Sequence, residues 1–66
     1  METAENTKWE TIQKQIYRFS TLEAAKAFAD RCEKIHMIVL GDHDEYWVGL
    51  PTITEWLVKN GYAYAV

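Results

Sequence analysis

Apolar residues near the start of the chain fall at Trp9, Ile12, Ile16 and Phe19, the spacing of one helix face, and Thr7 with Glu10 has the form of a capping box. A helix running to Phe19 would leave no connection before the next element, which opens at Ser20. A strand from about Lys14 to Phe19 is therefore preferred, because Ile16, Tyr17 and Phe19 suit a pleated surface. Residues 9–13 stay open between strand and helix. Residues 1–8 are polar and aperiodic and read as a disordered tail, which leaves 9–66 as a single domain.

Ser20-Thr-Leu-Glu23 has the form of a capping box and opens the clearest helix, about Thr21 to Lys34. Leu22, Ala25, Ala29 and Cys32 make its apolar stripe, with Phe28 beside them. Lys26, Asp30 and Lys34 supply i,i+4 pairs of opposite sign on the other side. His36 to Leu40 is a short apolar run, Gly41-Asp-His-Asp-Glu45 is turn chemistry, and Tyr46-Trp-Val-Gly49 is rich in strand formers. Together they predict an antiparallel hairpin. Pro51 ends it. Thr52 and Glu55 form a second capping box, and Ile53, Trp56 and Leu57 give the next helix its buried face. Asn60-Gly61 is a helix stop, and Tyr62 to Val66 alternates large and small as a last strand would.

The order β-α-β-β-α-β predicts a small α+β fold of ferredoxin-like type: an antiparallel sheet with the first and third strands central and both helices on one face. A β-α-β-β core with a C-terminal helical appendix is the alternative. One sheet face would then be bare. Met37 to Leu40 and Tyr46 to Val48 are apolar on both faces whatever the register, so that face should carry an apolar patch. A two-fold homodimer through it is the expected solution, with Tyr17, Tyr46, Trp47 and Tyr64 as contact residues. The bland alternative is that the N-terminal segment with Trp9 folds back over the face and leaves a monomer.

Composition sharpens this picture. Sixty-six residues, 48% of them hydrophobic, make one domain whose core has little surplus. Cys32 is the only cysteine, which excludes an internal disulfide and fits a reducing, cytoplasmic setting. The residues after Met1 have neither a basic nor an apolar stretch of signal-peptide kind, and no run approaches the ~20 apolar residues of a membrane span. Net charge is −3, which disfavours nonspecific contact with nucleic acid.

The chemistry-bearing residues are sparse. Cys32 and His36 stand at i,i+4, but two ligands with a helix end between them do not make a zinc site. Asp42-His43-Asp44-Glu45 lacks the spacing of a calcium loop and reads as a solvated hairpin turn. Ser20 is committed as a cap and Cys32 lies on an apolar stripe, so neither has a partner base. Gly41, Gly49 and Gly61 are isolated, so no phosphate loop is present. No metal, cofactor or catalytic group is expected.

The expectation is thus a non-catalytic interaction module with itself or another protein as partner. A single-stranded RNA platform built on the strand aromatics is a further alternative, with Arg18 the one cation near them. The order of elements also resembles that of the propeptide-type inhibitors of subtilisin-like proteases. That resemblance is one of topology and length, and it implies an inhibitory protein whose C-terminal strand enters a protease site.

Overall fold

The computed structural model describes residues 4–65, with side-chain surroundings from Lys8 onward. It is an α+β fold of three helices and four strands: α1 (Ala4–Lys14), β1 (Tyr17–Phe19), α2 (Leu22–Arg31), β2 (Met37–Leu40), β3 (Tyr46–Gly49), α3 (Pro51–Lys59) and β4 (Ala63–Tyr64). The strands form one antiparallel sheet in the order β1-β3-β2-β4.

The first correction concerns the N-terminal segment. Residues 4–14 are helix α1, so the expected tail over 1–8 gives way to helix from Ala4, while residues 1–3 lie outside the described residues. The helical spacing of Trp9, Ile12 and Ile16 was the correct signal. The chain makes its connection at Gln15-Ile16 instead of at Ser20, which leaves β1 only three residues long. Ile12 and Ile16 are both buried by this arrangement.

The second correction concerns strand order. A ferredoxin-like sheet would set β4 beside β1, whereas here β4 pairs with β2 through Val39↔Tyr64 and Leu40↔Ala63. The last strand therefore does join the sheet, and the helical-appendix alternative falls. The antiparallel ladder makes β1 and β2 run one way and β3 and β4 the other. Both helical crossovers step across the sheet in the same direction, from oppositely directed strands. Right-handed crossovers then place α2 and α3 on opposite faces.

The packing follows that rule. On one face, Ala25 of α2 packs with Ile38 and Val48, joined by Phe19, Leu22, Phe28 and Ala29. On the other, Ile12 of α1, Ile16 of the α1–β1 connection, and Ile53 and Leu57 of α3 pack with Val39 and Trp47, joined by Trp9 and Trp56. Helices therefore lie on both faces, and the bare apolar sheet face is absent. The two-sided pattern of Ile38-Val39 and Trp47-Val48 was the mark of a sheet covered on both sides.

Local signals moved by a residue or two. The α2 cap is Thr21, whose Oγ1 accepts from the Ala24 N–H at 3.1 Å, and not Ser20. The helix ends at Arg31, so Cys32 is its half-buried C-cap, with Sγ 3.3 Å from the Phe28 carbonyl oxygen. Lys34 lies beyond the helix. At α3 the N-cap is Leu50 and Pro51 takes the first helical position, where its missing N–H costs nothing. Thr54, wholly buried, directs its hydroxyl to the Leu50 and Pro51 carbonyls at 3.3 and 3.2 Å.

The β2–β3 hairpin turns through Asp42–Asp44, with the Glu45 N–H donating to the Asp42 carbonyl at 3.1 Å. His43 and Asp44 both have left-handed backbone, φ 58 and φ 62, the requirement of a tight turn with the strands' own twist. Gly41 precedes the turn for a steric reason. A Cβ there would stand 2.2 Å from Cε2 of the buried Trp47 indole. Gly41→Ala should therefore destabilise the fold by about 1–3 kcal/mol, the usual scale for overpacking a filled core. Urea unfolding followed by tryptophan fluorescence measures this, and an unchanged midpoint would show that the hairpin can yield.

Candidate functional site

Face assignment follows from the ladder. Tyr17, Phe19, Tyr46 and Val48 point toward α2, while Arg18, Trp47, Val39 and Tyr64 point toward α1 and α3. The four residues expected to share one contact surface are therefore divided. Tyr17 and Tyr46 lie on one side, Trp47 and Tyr64 on the other. Trp47 is only 3% exposed and belongs to the core. Tyr17 and Tyr64 are 52% and 41% exposed, but they sit on opposite edges of the sheet as well as opposite faces. An RNA platform on the strand aromatics loses its surface for the same reason. Arg18 is also engaged: its guanidinium lies 5.7 Å from the Trp47 ring centroid and donates to the Gln13 side-chain oxygen.

What the fold does assemble is an aromatic cluster around Trp9. Its ring centroid lies 6.4 Å from Trp47, 6.0 Å from Trp56 and 6.1 Å from Tyr62, the last pair nearly parallel at 14°. Tyr62 also meets Trp47 at 5.2 Å. All three tryptophans of the chain thus join one cluster, fed by α1, β3, α3 and the α3–β4 connection. Such contacts favour offset and tilted geometries and add roughly 0.5–1.5 kcal/mol each beyond burial.

Each ring is placed by a local device. Trp56 and Asn60 stand one turn apart on α3. Asn60 caps that helix, and its Nδ2 donates to the Trp56 carbonyl at 2.8 Å. Gly61 follows with φ 107, which lets the Tyr62 N–H reach the Leu57 carbonyl at 3.1 Å and the Gly61 N–H reach Val58 at 3.2 Å. This pair of bonds is a Schellman stop, and it turns the chain so that Tyr62 lies back against the cluster. The hairpin completes the fit. The Tyr62 hydroxyl donates to Asp42 Oδ2 at 3.0 Å, and Trp47 Nε1 donates to Glu45 Oε1 at 3.1 Å. The acidic turn residues thus serve as acceptors for two aromatic side chains.

Among the described residues, none covers the outer side of the cluster. Trp9, Trp56, Asn60 and Tyr62 line a surface cleft of about 390 Å³. Trp9 and Trp56 are half-buried, each with part of its ring facing solvent. A concave site with three rings and one amide can hold an apolar or planar group and orient it through a hydrogen bond. Among the described residues, no general base, nucleophile or cation lines it. Trp9, Trp56, Asn60 and Tyr62 were each visible in the sequence as helix-face or helix-stop residues. Nothing in their spacing brought Trp9 to Tyr62, because that contact depends on where β4 lies.

Comparison with family models, curated proteins and solved structures finds no match for this chain. Among the described residues, no helix is long and apolar enough to cross a membrane.

Burial first, then the hydrogen bond to Asp42 and the charge of that carboxylate, raise the Tyr62 phenol above its ordinary 10.0. A raised pKa in the folded state contributes stability that is fully present below the unfolded value and is lost as pH rises through the folded one. The fold should therefore weaken as pH rises through the ordinary phenol value of 10.0 and beyond it, and Tyr62→Phe should flatten that loss while giving up the Asp42 bond near neutrality. Urea midpoints of both proteins across that range are the measurement. Parallel curves would show that Tyr62 is not coupled to Asp42 as described.

Proposed function

We propose that this protein is a small non-catalytic interaction module that grips a protein segment in the aromatic cleft of Trp9, Trp56, Asn60 and Tyr62. The observation that carries this reading is the cleft itself: three rings already packed in place on rigid elements, with one side left open. Tryptophan and tyrosine are the side chains that most often dominate protein-binding energy, since they supply large contact area at small entropic cost. A pre-packed cleft further reduces the ordering that binding must overcome. Asn60 adds specificity, because its N–H side is committed to Trp56 and its oxygen is left as the acceptor for a partner N–H.

This reading relocates the interaction surface from the sheet to the α1–α3 side. It keeps the expectation of a protein partner and withdraws the argument for a homodimer, which required a bare sheet face. It also differs from the inhibitor alternative, in which the C-terminal strand would engage a protease, since β4 is occupied by β2 along one edge. Panning a displayed peptide library against the folded protein tests the proposal. Selected peptides should lose at least about tenfold in affinity against Trp56→Ala, the scale of a binding hot spot, and should bind Tyr17→Ala unchanged. Peptides indifferent to Trp56 and Asn60 would overturn it. Sedimentation at micromolar concentration should give monomer mass, and a dimer abolished by Trp56→Ala would identify a second copy as the segment's source.

A further inference from the structure

The opposite end of the sheet, where β1 and β2 begin and β3 ends, carries a different cleft. It measures about 380 Å³ and is lined by Lys14, Gln15, Tyr17, Lys34, His36 and Leu50. Two segments far apart in sequence deliver its polar side chains, and a third adds an apolar one. Lys14 closes α1 and Tyr17 opens β1, Lys34 and His36 come from the α2–β2 connection, and Leu50 lies between β3 and α3.

The composition of that lining is unlike the rest of the molecule. The chain has ten acidic residues against seven lysines and arginines, yet among the described residues no carboxylate lines this cleft and two of the five lysines do. The lining thus brings two lysines and a histidine together with no anionic side chain among the described residues that line it. The surface ion pair of the described residues is elsewhere, at Lys59–Glu55. The early end of α2 at Arg31 is what sends Lys34 here, away from the helical pairing with Asp30 that its spacing suggested.

The remaining walls are ordered. His36 Nδ1 lies 2.9 Å from the Lys34 carbonyl, and its ring meets Phe28 edge-on at 6.3 Å and 86°. Tyr17 rests one side of its ring on Phe28 at 4.6 Å and remains 52% exposed on the rest. Leu50 contributes an apolar surface and is the N-cap of α3, whose first turn carries no acidic residue.

From this arrangement we propose that the cleft binds a small phosphate monoester carried on an aromatic or apolar group. The lysine ammonium groups of Lys14 and Lys34 take the phosphate oxygens as point charges. The exposed side of Tyr17 and the Leu50 side chain take the organic part, with Gln15 and His36 at the margin. A dianion suits the site because it neutralises both lysines at once. The two clefts share no lining residue.

Titration by ¹H–¹⁵N NMR at constant ionic strength, with inorganic phosphate and separately with phenyl phosphate, tests this. Saturable shifts should centre on Lys14, Gln15, Tyr17, Lys34 and His36. Phenyl phosphate should bind about tenfold tighter than inorganic phosphate, the scale of one added apolar ring contact. The double variant Lys14→Ala/Lys34→Ala should lose at least about tenfold for both probes, as two charge-assisted contacts require. Lys26→Ala should change neither. Tyr17→Ala should remove the preference for phenyl phosphate and leave inorganic phosphate binding intact. Unsaturable shifts spread over all the lysines, equal affinity for the two probes, or a double variant that binds normally would each overturn the proposal.

Discussion

Two pairs of neighbours, Ile38-Val39 on β2 and Trp47-Val48 on β3, are buried although the members of each pair point to opposite faces of the sheet. A strand that is apolar on both sides must be covered on both sides, and this requirement organises everything else in the molecule. One helix cannot satisfy it. The chain meets it by sending β4 to the β2 edge, so that the two right-handed crossovers deposit α2 and α3 on opposite faces. The α3 face is still incomplete over Trp47, and α1 supplies Trp9, Ile12 and the following Ile16 to finish it. For a chain with so small a core, a third helix adds apolar burial where a disulfide is not available.

The same arrangement makes the two ends of the sheet chemically different. At the hairpin end, an acidic turn accepts hydrogen bonds from Tyr62 and Trp47 and pins the aromatic rings in a ready-packed cluster. The strained left-handed residues His43 and Asp44 belong to this end, so backbone strain there is balanced by side-chain bonds made from Asp42 and Glu45. At the opposite end the connections bring Lys14, Lys34 and His36 to one cleft, and His36 shares the neighbouring concavity with Asp30. An acidic chain thus keeps a positive concavity away from its acidic turn, and the separation is a product of strand direction: β1 and β2 begin where β3 ends.

Much of the secondary structure was legible along the chain. The apolar stripe of Leu22, Ala25 and Ala29, the hairpin around Asp42-His43-Asp44, the Asn60-Gly61 stop and a final strand all stand near where their local chemistry puts them. Apart from helix α1 and the strand order, the differences were at boundaries and had local causes. Adjacent hydroxyls at Ser20 and Thr21 both suit a cap, and the structure uses Thr21, with Leu22 packed on the cluster of Ala25, Ile38 and Val48. Trp9, Ile12 and Ile16 do pack into one cluster, but the helix ends at Lys14 and the strand starts at Tyr17, which spacing alone does not reveal.

By itself the sequence determined the elements from β1 to β4, because capping, turn residues and hydrophobic period act within a few positions of one another. It also determined that the central strands would be apolar on both sides. Tertiary structure alone decided which edge receives β4, and with it whether the second helix shares a face with the first or lies opposite. Both arrangements satisfy the same local signals and the same handedness rule. The choice between them rests on contacts across more than fifty residues of chain, such as Trp9 against Tyr62, and those contacts are also what create the aromatic cleft.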